Sequence, residues 1–291
     1  MATVVIGAML SAPLYWGGHW LAAHGILPFL GDTEFRRFFD RALLLAAVLL
    51  LWPTAIWIRV PSIRALELTP NRRRWQDFAL GFAASFLMMV MLGLVLTSVG
   101  ICKMRAGIPW APLGKIAITA GVVSLLEEWL FRAAILGLLI RGLPAYSALF
   151  FTSALYSILH FLKPQEEPVV IKTVGWFSAF SLIPGAFARF SQPLLVLGGF
   201  TTLFCVGWIL GWARLRTRSL AMPLGLHAGW ILGIMGFAKV SRRLVKETLP
   251  WFGEDLSVGL CSVLIVLLTG AIVWYFLRNR SAEPEPTPQK A

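Results

Sequence analysis

The sequence predicts an all-α membrane protein, a helical bundle of about eight transmembrane helices, and three observations carry that prediction. Of its 291 residues, 58% are hydrophobic and the mean hydropathy is +0.75, whereas a soluble domain stays near ~50% apolar. Several apolar runs exceed the roughly 17–20 residues that cross a bilayer. The net charge of +12 comes mostly from Lys and Arg lying between those runs, where anionic head groups attract them. That placement accounts for the charge without nucleic acid, and RNA binding is the weaker reading.

The spans fall at roughly 4–27, 42–58, 78–99, 116–140, 145–162, 193–213, 219–238 and 257–277. The first is the weakest, because Pro13, paired glycines, His19 and His24 interrupt it; an irregular segment is expected. Its start lacks the basic residues of a secretory leader, so it reads as a membrane segment. After the second span, Arg72, Arg73 and Arg74 read as a head-group anchor. The stretch TVGWFSAFSLIPGAFARF (173–190) is apolar enough to enter the membrane, yet Pro184 and Gly185 interrupt it. An interfacial helix and a re-entrant lid both fit.

The tail SAEPEPTPQKA (281–291) is Pro-rich and polar and is expected to be disordered. The reading is one integral-membrane domain over 1–280, with its core at about 78–240. Counts of Lys and Arg on the two faces do not fix the orientation; the short, acid-free RLRTR (214–218) tilts it toward a cytoplasmic C-terminus. Cys102, Cys205 and Cys261 are odd in number and far apart, which suits buried thiols better than a disulfide or a metal knot.

Within the fourth span, SLLEEWLFRAA (124–134) carries Glu127, Glu128 and Arg132. A charge at mid-bilayer costs ~2.5–3.5 kcal/mol unless it is paired or faces a wet cavity. Glu128 and Arg132 stand four apart, so they share a helix face and pair in the favourable order. Glu127 is turned about 100° away and is left as the carboxylate free for chemistry. A purely structural glue between helices is the bland alternative.

Histidines favour function. Glu127 lies 13 residues before residue 140, and His160 lies 15 after residue 145. In an antiparallel hairpin those counts are depths of about 20 and 23 Å, so carboxylate and imidazole reach one level. Tyr156, four before His160, shares its face. His227 lies about 12 Å from residue 219, shallower than the others, and needs a tilted helix or a higher starting point to join them. His19 and His24 read as interfacial.

Glu127-Glu128-Trp-Leu-Phe-Arg132, then Tyr156-Ser-Ile-Leu-His160, then His227-Ala-Gly-Trp-Ile231 resembles the CPBP family, the CAAX prenyl proteases and bacteriocin-processing enzymes also called the Abi family. The resemblance covers roughly 78–240 and implies an intramembrane endopeptidase that hydrolyses a peptide bond near a membrane-embedded or lipid-modified end. It implies that Glu127 and His160 activate a water and that His227 steadies the oxyanion. Glu128, Arg132 and Tyr156 would support them.

Two positions depart from the family pattern. Tyr156 replaces the usual Phe, and Ile231 stands where Asn is frequent, so an oxyanion donor must come from elsewhere, such as the backbone or Trp230 Nε1. Glu127, His160 and His227 would also make a legitimate zinc set; the chain has no HExxH, and the metal-free form without cofactor is preferred. Two other classes stay in view: a proton-coupled transporter, because such carriers also bury Glu, Arg and His, and an inactive scaffold, because Ile231 donates nothing. The expected partners are a peptide or membrane-anchored protein substrate and the lipid bilayer. The expected location is multi-pass in a bacterial inner membrane.

Overall fold

Within the described residues, the apolar runs become helices. The computed structural model describes residues 2–57, 72–161, 171, 173–184, 188–245, 249–253 and 256–278. The tail at 281–291 and Gly185 lie outside the described residues. Among the described residues, four helices are long and apolar enough to cross a membrane: Arg74–Ser98, Pro193–Thr217, Ala221–Val240 and Leu260–Leu277. The chain is an all-α membrane protein, as the composition requires, and it divides into two compact units.

The first unit comprises Met1–Ala65 and Ile158–Val196. Its helices are α1 (Ala2–Ala23) and α2 (Phe35–Trp57). The expectation of an irregular first segment is corrected here, for α1 runs unbroken through Pro13. A proline removes one N–H from the ladder, and packing against a neighbour offsets that loss. Ala8 and Ala12 are wholly buried with Phe35, Phe39, Ala179 and Leu182. His19 Nδ1 donates to Tyr15 O at 3.1 Å and His24 Nδ1 to Trp20 O at 2.8 Å. Both imidazoles are thus tied to their own helix. The described part of 173–190 makes short 3₁₀ turns, Ser178–Leu182 and Ala188–Ser191.

The second unit comprises Leu66–Ser157 and Leu197–Ala291. In chain order it contains α3 (Arg74–Ser98), strand β1 (Cys102–Met104), α4 (Trp110–Glu128) and α5 (Leu136–Leu139). A π-helical turn, Trp129–Ile135, joins α4 to α5. Most of α6 (Ala145–Phe161) and of α7 (Pro193–Thr217) follows, then α8 (Ala221–Val240), β2 (Ser241–Arg243) and α9 (Leu260–Leu277).

Glycines decide how α3 and α8 meet. Gly81 faces Met222 and Leu226, Gly225 faces Phe78, Gly229 faces Phe82 and Ser85, and Gly233 faces Met89. A β-carbon on Gly225 would overlap the Phe78 carbonyl. Small residues let two backbones approach this closely, which is how helices associate where no hydrophobic force separates them from lipid. Residue numbers rise together along the contact, so α3 and α8 are parallel and finish at one end. There β1 and β2, which follow them, pair antiparallel with Cys102 opposite Arg243.

α6 and α7 are antiparallel. Ser157 Oγ donates to Phe200 O at 2.7 Å, and further along Gly207 packs on Ser153 and Gly211 on Leu149. Ser157 and Phe200 therefore lie at one level within the second unit.

Candidate active site

Helical spacing alone brings Glu128 and Arg132 together. Arg132 Nη1 donates to Glu128 Oε1 at 3.0 Å, and both side chains are 0% exposed. Breaking such a pair by removing one partner leaves an uncompensated buried charge. The guanidinium is held in other ways too. Nη2 reaches the Gly207 carbonyl at 3.4 Å, and Cζ stands 4.5 Å from the centre of the Tyr156 ring, within cation–π range. Tyr156 is itself buried, edge-on to Phe131 at 5.0 Å and to His227 at 6.3 Å.

His227 completes the cluster. Its Nδ1 lies 2.7 Å from the same Glu128 Oε1 that Arg132 engages, and its Nε2 lies 3.7 Å from Glu127 Oε2. A carboxylate only accepts, so the short contact puts the proton on Nδ1 and fixes the ring's orientation, as a carboxylate behind a working histidine does. The order in space is Arg132, Glu128, His227, Glu127. Three of the four are sealed from solvent, while the Glu127 side chain keeps 14% of its surface open. Glu127 is the member that an incoming molecule can touch.

This geometry bears on two expectations. Glu127, expected to be poorly partnered, has the imidazole of His227 beside it. His227 was expected to need a tilted helix or a higher starting point. Met222 of α8 packs opposite Gly81, seven residues inside α3, which lifts the start of α8 by about 10 Å. That is the higher starting point the depth count called for, and counting along a single helix could not reveal the stagger.

His160 stands one turn beyond Tyr156 on α6 and belongs to the first unit. Trp230, one turn beyond His227, is buried, and its Nε1 has no hydrogen-bond partner. Ile231 lies four after His227 and is half-buried. Among the described residues, no three His, Cys, Asp or Glu side chains come together as a metal ion needs.

Sequence reasoning missed the Glu128–His227 bond, since nothing local links residues so far apart. It also missed Ser124, one turn before Glu128, whose buried Oγ has no partner. The spacing 124, 128, 132 was the signal for it. The π-helical turn holding Arg132 had no sequence signature; such turns are rare and frequent at functional sites.

Residues 109–232 match the family model described as Rce1-like, type II CAAX prenyl endopeptidase Rce1-like. No curated relative matches the chain. The matched stretch opens at the foot of α4 and closes inside α8, taking in Glu127, Glu128, Arg132, Tyr156, His160 and His227. That match, over fewer than half of the residues, and the apolar helices support the CPBP family of CAAX-type membrane endopeptidases, the family that the three motifs resemble.

Proposed function

We propose that the chain is a multi-pass glutamate-type endopeptidase of a bacterial inner membrane, cutting a peptide near its membrane-embedded or lipid-modified end. Glu127 is the general base. It takes a proton from water as the water oxygen attacks the scissile carbonyl, and later returns it to the leaving amine. Glu128, paired with Arg132, orients His227. His227, once protonated on Nε2 as well, serves as donor to the developing oxyanion, where such donors contribute ~2.7–4 kcal/mol. His160, taken from the family pattern, aligns the attacking water with Glu127. The observation that carries the reading is the His227 ring fixed by Glu128 with its far nitrogen 3.7 Å from Glu127.

The test is cleavage by the purified full chain of peptides with hydrophobic or prenylated C-termini. Glu127→Gln and His160→Ala are each expected to lower the rate of product formation by ~10²–10⁴. Cleavage by Glu127→Gln at the wild-type rate would remove the mechanism. Inhibition by a chelator, reversed by zinc, would replace it with a metal form built on Glu127, His160 and His227. One observation favours a second reading: Ile231 supplies no donor where the family pattern has Asn, which suits an inactive scaffold. No turnover on any peptide, with Glu127→Gln melting as the wild type does, would favour that scaffold.

A further inference from the structure

A second concave site lies in the second unit, where α3 and α8 end together. It is a cavity of about 230 Å³, below the roughly 300–1,000 Å³ of a drug-sized pocket. Its floor is apolar, from Leu96, Phe237 and Leu256. Its wall carries Arg105, Arg242 and Arg243, with Cys102 beside them. None of the described lining residues is acidic.

The arginines are built into the backbone. Arg105 Nε donates to Ser241 O and Arg243 Nε to Val245 O, each at 2.9 Å, and Arg243 Nη1 reaches Gly253 O. These bonds fix the guanidinium stems and leave other N–H groups unused. Arg243 Nη2 is buried with no hydrogen-bond partner. The β1–β2 register also sets Lys103 directly across from Arg242, a like-charge pair that destabilises a strand pair. An anion would relieve both defects, because planar guanidinium groups match phosphate oxygens. The cavity lies at the last turns of two helices apolar enough to span, and the ends of spanning helices meet the head-group region.

We propose that this cavity binds the phosphate of an anionic phospholipid, with Arg105, Arg242 and Arg243 on the phosphate and the first acyl carbons on the apolar floor. Binding there clamps the ends of α3 and α8 together. The proposal is independent of the peptidase reading.

Cys102 is the reporter. In the full-length chain with Cys205→Ser and Cys261→Ser, it is the one remaining thiol. Its alkylation by a maleimide is followed in neutral detergent with phosphatidylglycerol, with phosphatidylcholine, or with inorganic phosphate alone. Phosphatidylglycerol is expected to slow alkylation severalfold, and the other two to leave it unchanged. Arg242→Gln removes a side chain with no hydrogen bond or ion pair among the described residues, so the fold is kept. It should raise the half-protecting lipid concentration roughly fivefold, as expected for one arginine near a charged surface. Equal protection by phosphatidylcholine, protection by inorganic phosphate alone, no protection at all, or indifference to Arg242→Gln would each overturn the proposal.

Discussion

Glu128 accepts from two cationic or potentially cationic donors on one oxygen, so it stands at the centre of the site while touching no solvent. Arg132→Met is expected to cost about 3–5 kcal/mol, the usual result of stranding a buried charge, read as a lowered thermal midpoint in detergent. Glu127→Gln should leave that midpoint within error and lower turnover by ~10²–10⁴, the range of a general base. The split between the two variants separates support from chemistry. Ile231→Asn places an amide one turn from His227 and should raise turnover if a donor is missing; an unchanged rate would mean that another group already supplies it. Of these residues, the Glu128–Arg132 pair was legible because four residues make one helical turn. The bond from Glu128 to His227 was not, because it depends on how α4 and α8 are placed by everything between them.

At the scale of elements, the contact between α3 and α8 is made by the absence of side chains. Gly229→Val would drive a branched group into Ser85 and the Phe82 carbonyl. Overpacking of this kind costs typically ~1–3 kcal/mol, and here it should also displace His227, so melting and turnover fall together. Gly121→Ala is the control: nothing lies within 4 Å of a β-carbon there, and alanine gains about 0.5–1 kcal/mol of helix stability over glycine. The spans themselves were legible, since length and hydropathy are local properties. Their stagger and the continuity of α1 through Pro13 depend on packing partners that hydropathy does not see. The broken stretch at 173–190 was read as an interfacial helix or a re-entrant lid, and its described residues make short 3₁₀ turns.

For the whole molecule, the parallel course of α3 and α8 makes a topological prediction. Met104 and Leu244, exposed just past the two helices, should be labelled from the same membrane face. The measurement uses Met104→Cys and Leu244→Cys in a chain otherwise lacking cysteine, sealed in vesicles and treated with an impermeant maleimide. Labelling from opposite faces would contradict the parallel pair. Charge counting in the sequence left orientation undecided, because the rule weighs loops one by one. Helix direction, by contrast, is fixed by contacts that span the chain.

The wide turn at Trp129–Ile135 bears on how such a site tolerates change. An ordinary helix that gains or loses one residue swings everything beyond it by about 100°. A π turn is a place where one surplus residue is already absorbed. Removing a residue between Trp129 and Phe131 would restore regular winding and set Arg132 three residues after Glu128 instead of four, a spacing that still makes neighbours on a helix, while the downstream segment kept its course. A deletion at this point therefore shifts one ion pair without separating its partners.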